Sequence, residues 1–440
     1  MRKILLFCSC LLLLAMTETA KSNVFPYPYK VETLPNGLKV ILVPMNSPGI
    51  VAYYTIVRTG SRDEWEPGRS GFAHFFEHMM FRGTKRHPGG VYDSIITSLG
   101  AEANAYTTDD YTCYHLTVAN NDLERVMDLE SDRFQFLQYP EPEFKTESGA
   151  VYGEFRKGRT SPFNVLWEKI KETAFDKHTY RHTTIGYEED IKNMPNMYDY
   201  SKSFYQRYYR PENCVIVVVG DMKEESTIAM VKKYYGKWAK GYTEPKIEKE
   251  PEQTSERTAT VTYDGKTNPI LAIGYKNYAF SPTNKQLIAR DLLSDLAFGS
   301  NSKLYKRLYL QEQKVISFQP SFQMNRDPFM GLVYAMTTEE NLKYVQDEIL
   351  KEVDSFSKNV VDATALQDLK KRIKYSYVMD LDSPKKVAGN LARFVAITGG
   401  IEQIEDYFAT IESITTQDIM EAAKSLTPEK RTIVILKGSN

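Results

Sequence analysis

Two stretches of this chain, 217 residues apart, read as worn copies of one another, which predicts a fold of two like halves. Arg210-Pro211-Glu212 precedes the apolar run Val215-Ile216-Val217-Val218, and Thr427-Pro428-Glu429 precedes Thr432-Ile433-Val434-Ile435. The offset, 428 − 211 = 217, also lays Phe76–Phe81 on Leu293–Phe298. Each apolar run has the length and β-branched content of a buried strand. At 440 residues the chain exceeds what one hydrophobic core organises, so a duplicated pair of domains accounts for both size and repeat.

The first copy, within residues 23–239, opens with a strand Val31–Leu34, the turn Pro35-Asn36-Gly37 and a strand Leu38–Val43. A strand Ile50–Val57 follows, and the copy closes on Cys214–Val219 and an amphipathic helix to Tyr235. Residues 240–257 are rich in Glu, Lys and Pro, a composition that predicts a solvated linker. The second copy occupies 258–440.

Residues 1–22 stand apart. Arg2 and Lys3 precede an apolar run Ile4–Met16 and small or polar residues at Thr17–Ala20, the pattern of a secretory signal. The run is too short for a membrane span. Cleavage near Ala20 fits despite the unusual Glu18, whereas lipidation at Cys8 or Cys10 would leave an abnormally short signal. The mature chain is expected to be exported, to the periplasm in a Gram-negative cell. Export permits, without requiring, a bond between Cys113 and Cys214. A net charge of −1 with both signs interspersed excludes the charge pattern of a nucleic-acid binder.

One copy alone carries a reactive pattern. His74 and His78 lie four apart, so on a helix both point the same way. Phe72, Phe75, Phe76, Met79 and Met80 make Gly71–Phe81 read as a largely buried helix. Two imidazoles on one face can grip a Zn²⁺ and leave room for a third ligand and a water. Glu77, one step before His78, can take a proton from that water without being a ligand. His-x-x-Glu-His is a recognised metallopeptidase signature. The competing reading, a buried helix with two internally bonded His, buries two rings and a carboxylate at a desolvation cost. On the 217-residue register His74, Glu77 and His78 fall on Asp291, Ser294 and Asp295. The second copy has no His, so a single Zn²⁺ per chain is expected.

A third ligand must come from another element. The helical stretch Pro142–Lys157 offers Glu147 and Glu154, seven residues or nearly two turns apart and so on one side. One can bind the metal while the other orients a ligand or stabilises charge.

Together with Gly83-Thr84, Asn104-Ala105-Tyr106-Thr107 and Ile185-Gly186-Tyr187-Glu188, these residues resemble the pitrilysin/insulinase family of zinc peptidases. The likeness is to its short subunits similar to mitochondrial processing peptidase, and it spans nearly the whole mature chain. It implies His74, His78 and Glu154 as zinc ligands, Glu77 as general base and Glu147 as the supporting acidic residue of the catalytic site. It implies an α+β fold of two homologous domains, each a mainly antiparallel sheet packed with helices, facing each other around a chamber. It also implies that Asn104, Ala105 and Tyr106 lie on an edge strand that binds an extended peptide substrate by β-augmentation. Without the family, that segment reads as an ordinary strand.

The sequence departs from the family at one place. Members acting alone carry an Arg and, seven residues later, a Tyr in the second domain that reach the substrate carbonyl. Those positions here hold Tyr309 and Ile316, and sliding to Arg307 puts Lys314 where Tyr belongs. The chain is therefore expected to work with a related subunit carrying that pair, or as a homodimer. The expected function is an exported zinc metalloendopeptidase acting on extended or unfolded peptides. A non-catalytic structural or assembly subunit is the alternative, and a peptide-binding module with structural zinc a third reading. His87 and His115 are expected on the surface or in a strand, and His178 and His182 in a loop.

Overall fold

The computed structural model describes residues 24–439, so the expected signal at 1–22 lies outside the described residues. The first sheet contains β1 (Lys30–Thr33), β2 (Lys39–Pro44), β3 (Ile50–Val57), β4 (Glu102–Thr107), β5 (Thr112–Ala119) and β6 (Cys214–Gly220), in the order β1-β2-β6-β3-β5-β4. The second contains β7 (Arg257–Tyr263), β8 (Ile270–Lys276), β9 (Ser317–Phe322), β10 (Met330–Met336) and β11 (Arg431–Gly438), in the order β7-β11-β8-β10-β9. β2 and β6 pair parallel, as do β7 and β11. Every other neighbouring pair is antiparallel. Leaving out β1, the two sheets match strand for strand and direction for direction. The repeat in the sequence is a repeat in space.

β6 is buried along its whole length, which is why its sequence is a continuous apolar run rather than an alternating one. The helix Phe72–Met79 packs on β4 and β5, and its counterpart Lys285–Phe298 packs on β9 and β10. In the second copy Asp295 pairs with Arg372 at 2.9 Å and Asp291 accepts a long hydrogen bond from Tyr407, 3.4 Å. Ordinary polar contacts thus replace the ligand positions there.

The halves exchange a helix. Pro162–Ala174, numbered with the first half, lays Leu166 and Ile170 on Ala272, Val434 and Leu436 of the second sheet. Pro384–Thr398 lays Val387, Leu391 and Val395 on Ala52, Ile56 and Val217 of the first. Both helices begin at Ser-Pro, 384 − 162 = 222 residues apart. The stretch expected to be a solvated linker carries no helix or strand before Arg257, where β7 begins, yet Glu250 is anchored. Its carboxylate accepts the backbone N–H groups of Asp176, Lys177 and His178 at 2.9–3.1 Å. Composition cannot reveal such a distant set of donors.

Cys113 and Cys214 are both free and buried. Cys113 belongs to the core shared with Ala52, Tyr54 and Ile56, and Cys214 to the core on the other face of the sheet, with Val51 and Tyr53. Opposite faces keep the thiols apart. His115 lies in β5, stacked on Tyr54 at 5.0 Å. His178 and His182 flank a short turn as expected, but both are buried. No helix among the described residues is long and apolar enough to cross a membrane.

A polar seam joins the halves. Asn325, Arg326 and Asp327, between β9 and β10, reach Asp110, the Arg58 carbonyl, and Arg62 with His178, respectively. The Asp327 carboxylate lies 2.5 Å from Arg62 Nε and 3.0 Å from His178 Nε2. Burial pushes its pKa up, but the hydrogen bonds from His178 and Arg62 outweigh burial and hold it well below the usual range. A depressed carboxyl contributes stability above the unfolded-state pKa of about 3.9 and loses it as the pH falls. Asp327→Asn is therefore expected to lower the unfolding free energy at neutral pH, read from urea titration, by about 1.5–3 kcal/mol for hydrogen bonds to a charged group. The gap from wild type should narrow below about pH 4. An unchanged gap across that range would remove Asp327 from the seam's energetics.

Candidate metal centre

Phe72, Phe75, Phe76 and Met79 are buried in the core beneath the helix Phe72–Met79, which packs against the helix Glu141–Gly158. The motif helix starts at Gly71, whose φ of +89° suits glycine. A side chain there would meet Ile191 at 2.3 Å and the Ile185 carbonyl at 2.7 Å, and one on Gly186 would meet Gly71 at 2.8 Å. The two glycines let the Ile185-Gly186 loop close against the helix start. Glu64, seven residues upstream, accepts the Gly71 and Ala73 N–H groups, both at 2.7 Å. A carboxylate at that end satisfies orphan donors and suits the helix dipole.

The side chains of His74, His78 and Glu154 converge, with one potential ligand atom from each lying within 4.8 Å of the others. Nε2 of His74 is 3.7 Å from Glu154 Oε1, and Nε2 of His78 is 3.4 Å from Glu154 Oε2. Glu147 is buried and lies behind the cluster, with Oε1 2.8 Å from His78 Nδ1 and its other oxygen paired with Arg82. A carboxylate on the far nitrogen fixes a ring's tautomer and orientation. Nδ1 of His74 is buried and has no partner of this kind among the described residues. Glu77 stands beside the cluster, and its Oε2 accepts from Thr107 Oγ1 of β4 at 2.7 Å.

The electrostatics divide the two rings. Hydrogen bonds to Glu147 and Glu154 raise the His78 ring to about 9. Burial, aided by the neighbouring His78, lowers His74 to about 4. Burial pushes the Glu77 carboxyl up. Against its own burial, His78 and Arg82 hold Glu147 below the usual range, and the hydrogen bond to His78 holds Glu154 down. Three carboxylates thus face two imidazoles and one guanidinium, leaving an excess of negative charge for a cation to balance. Two ring nitrogens and a carboxylate match the ligand set of a catalytic Zn²⁺. The donors His74, His78 and Glu154 fit the ion.

β4 is the outer strand of its sheet, so among the described residues one side of Asn104, Ala105 and Tyr106 has no neighbouring strand. Tyr309 and Ile316 are 38% and 48% exposed, and Ile316 has no polar side-chain atom with which to donate. Sequence reasoning missed Glu64, Arg82 and Thr107. Arg82 follows His78 by four residues, a helical spacing that could have flagged it. Nothing local marks the other two.

Comparison with known proteins places the chain among peptidases. A profile described as Insulinase (Peptidase family M16) matches residues 41–188, and one described as Peptidase M16 inactive domain matches 197–373. The zinc protease PqqE of Helicobacter pylori is 29% identical over 445 residues, covering 99% of this chain and 98% of that protein. The probable mitochondrial-processing peptidase subunit beta of Arabidopsis thaliana is 22% identical, covering 91% of this chain and 76% of that protein. A crystal structure of a protease from Helicobacter pylori superposes with a TM-score of 0.87 at 29% identity, covering 93% of this chain and 99% of that one.

Proposed function

Because the chain belongs to the M16 (insulinase) peptidase family, we propose that it is an exported zinc endopeptidase that cleaves extended peptides. The observation that carries the reading is the convergence of His74, His78 and Glu154 within 4.8 Å, beside a tethered Glu77 and an open strand edge. His74, His78 and Glu154 would hold one Zn²⁺, which when bound supplies Lewis-acid activation of water. Glu77 would accept the proton that a water gives up on attacking the scissile carbonyl and return it to the leaving amine. Thr107 holds Glu77 in place through its hydroxyl. Glu147 keeps the His78 ring aimed, with Arg82 balancing its charge. An extended peptide adds to β4 along Asn104, Ala105 and Tyr106, held by main-chain hydrogen bonds. Export rests on the basic and apolar pattern of residues 1–22.

The test is hydrolysis of a peptide library by the purified mature chain, with and without a chelator. Chelator-sensitive cleavage supports the reading. No cleavage under any mixing condition favours the non-catalytic subunit instead.

A partner is part of the proposal, because Tyr309 and Ile316 stand where donors to the substrate carbonyl are expected. Losing such donors costs about 10²–10³-fold in turnover. Adding a related chain that carries the Arg/Tyr pair but lacks His-x-x-Glu-His should therefore raise kcat by about 100-fold. A homodimer does not supply the missing groups. Full activity of the isolated chain, unchanged on mixing, would refute the two-subunit assignment.

A further inference from the structure

We propose that a cavity behind the motif helix is a binding site for a small planar organic anion. The cavity, about 550 Å³, opens on the first half and is lined by Tyr139, Tyr205, Tyr209 and Trp238 among others. That volume suits a small organic molecule. Trp238, Tyr139 and Tyr209 are buried, while Phe136 at the rim is 63% exposed. The Tyr205 hydroxyl donates to the Phe134 carbonyl at 2.8 Å, and that of Tyr139 is bonded to Ser201 at 2.8 Å. With those hydroxyls engaged, the walls offer ring faces, which favour a flat apolar body.

The charge at the mouth has one sign. Among the described residues Lys202, Arg210 and Lys237 line the cavity and no Asp or Glu does. Among the described residues Lys237 makes no hydrogen bond or ion pair, and Arg210 only donates to the Gln206 carbonyl. Lys202 sits 3.7 Å over the Tyr198 ring and 3.5 Å from Asp199, whose side chain is 97% exposed. So exposed a pair is screened and worth little. Arg210 and Lys237 each follow the C-terminus of a helix, Tyr198–Tyr208 and Glu224–Tyr235. Each such end carries about half a negative charge. Two ends therefore offset about one of three cations, and the mouth keeps a positive excess that complements an anion.

Tyr205 and Tyr209 separate the cavity from the reverse side of the motif helix. Tyr205 stacks on Phe76 at 6.0 Å and Tyr209 packs on it at 5.5 Å. Tyr209 also meets Tyr114, 2.6 Å between hydroxyls, and Tyr114 donates to the Phe76 carbonyl at 3.0 Å. An occupant would rest one layer of side chains from Phe76, the residue before Glu77.

Isothermal titration of the zinc-loaded protein with N-acetylphenylalanine, its neutral amide and phenyl phosphate tests the site. Both anions should bind, with the amide about tenfold weaker, because one charge is removed and the ring is kept. The tighter anion identifies a carboxylate or a phosphate as the natural headgroup. Lys202→Ala with Lys237→Ala, both on the exposed surface, should cost about tenfold in anion affinity and leave the amide unaffected. Binding should weaken as NaCl rises from about 50 to about 500 mM. The double variant also locates the site, since an anion bound at zinc would bind it unchanged. Equal affinity for acid and amide, undiminished anion binding by the double variant, or no binding of either anion overturns the proposal.

Discussion

Glu77→Gln is expected to abolish peptide hydrolysis while leaving one zinc per chain. The amide keeps the shape of the carboxylate and can still accept from Thr107, which donates to it at 2.7 Å. It cannot accept the proton that water gives up on attack, and loss of general-base action costs about 10²–10⁴-fold in rate. Steady-state cleavage of a peptide, with metal content by mass spectrometry on the same sample, checks both halves of the expectation. Near-normal turnover would remove Glu77 from the mechanism, and loss of zinc would recast it as a ligand. Because Glu77 lies beside the His74, His78 and Glu154 cluster rather than within it, catalysis and metal binding should separate in this variant.

The double variant His74→Ala, His78→Ala should lose zinc altogether. It leaves Glu154, half exposed, as the last of the three convergent groups, and one carboxylate does not hold Zn²⁺ in water. Glu147→Gln is the graded comparison. Weakening the contact that orients His78, 2.8 Å in the structure, should lower metal affinity by about 10–100-fold without abolishing it. Metal retention after dialysis against a competing chelator ranks the three proteins. Stoichiometric zinc persisting in the double His variant would place the metal elsewhere. Equal affinity of wild type and Glu147→Gln would confine Glu147 to packing against Arg82.

The sequence by itself determined the duplication and the convergent pattern of potential ligands, because both are written in local spacing. The apolar runs at β6 and β11 and the turn signals ahead of them specify strands wherever they sit. Residues four and seven apart on a helix share a face without help from the rest of the chain, so His74 with His78, and Glu147 with Glu154, were legible. Tertiary structure alone decided the partners of those faces. The helices Pro162–Ala174 and Pro384–Thr398 each show an apolar side, which says that they are buried but not that each crosses to the other sheet. The cysteines, two acceptable disulfide partners by count, were separated by the side of the sheet each faces. Glu64, Arg82 and Thr107 act through side chains brought to their targets by packing, from 7 and 9 residues away at the helix start to 30 at Glu77 and 65 at Glu147. The aromatic cavity behind Phe76 gathers residues of several separate segments, and its single sign of charge exists only once they are assembled. Spacing encodes what one element does; the burial of one element against another, which no local pattern specifies, decides what it meets.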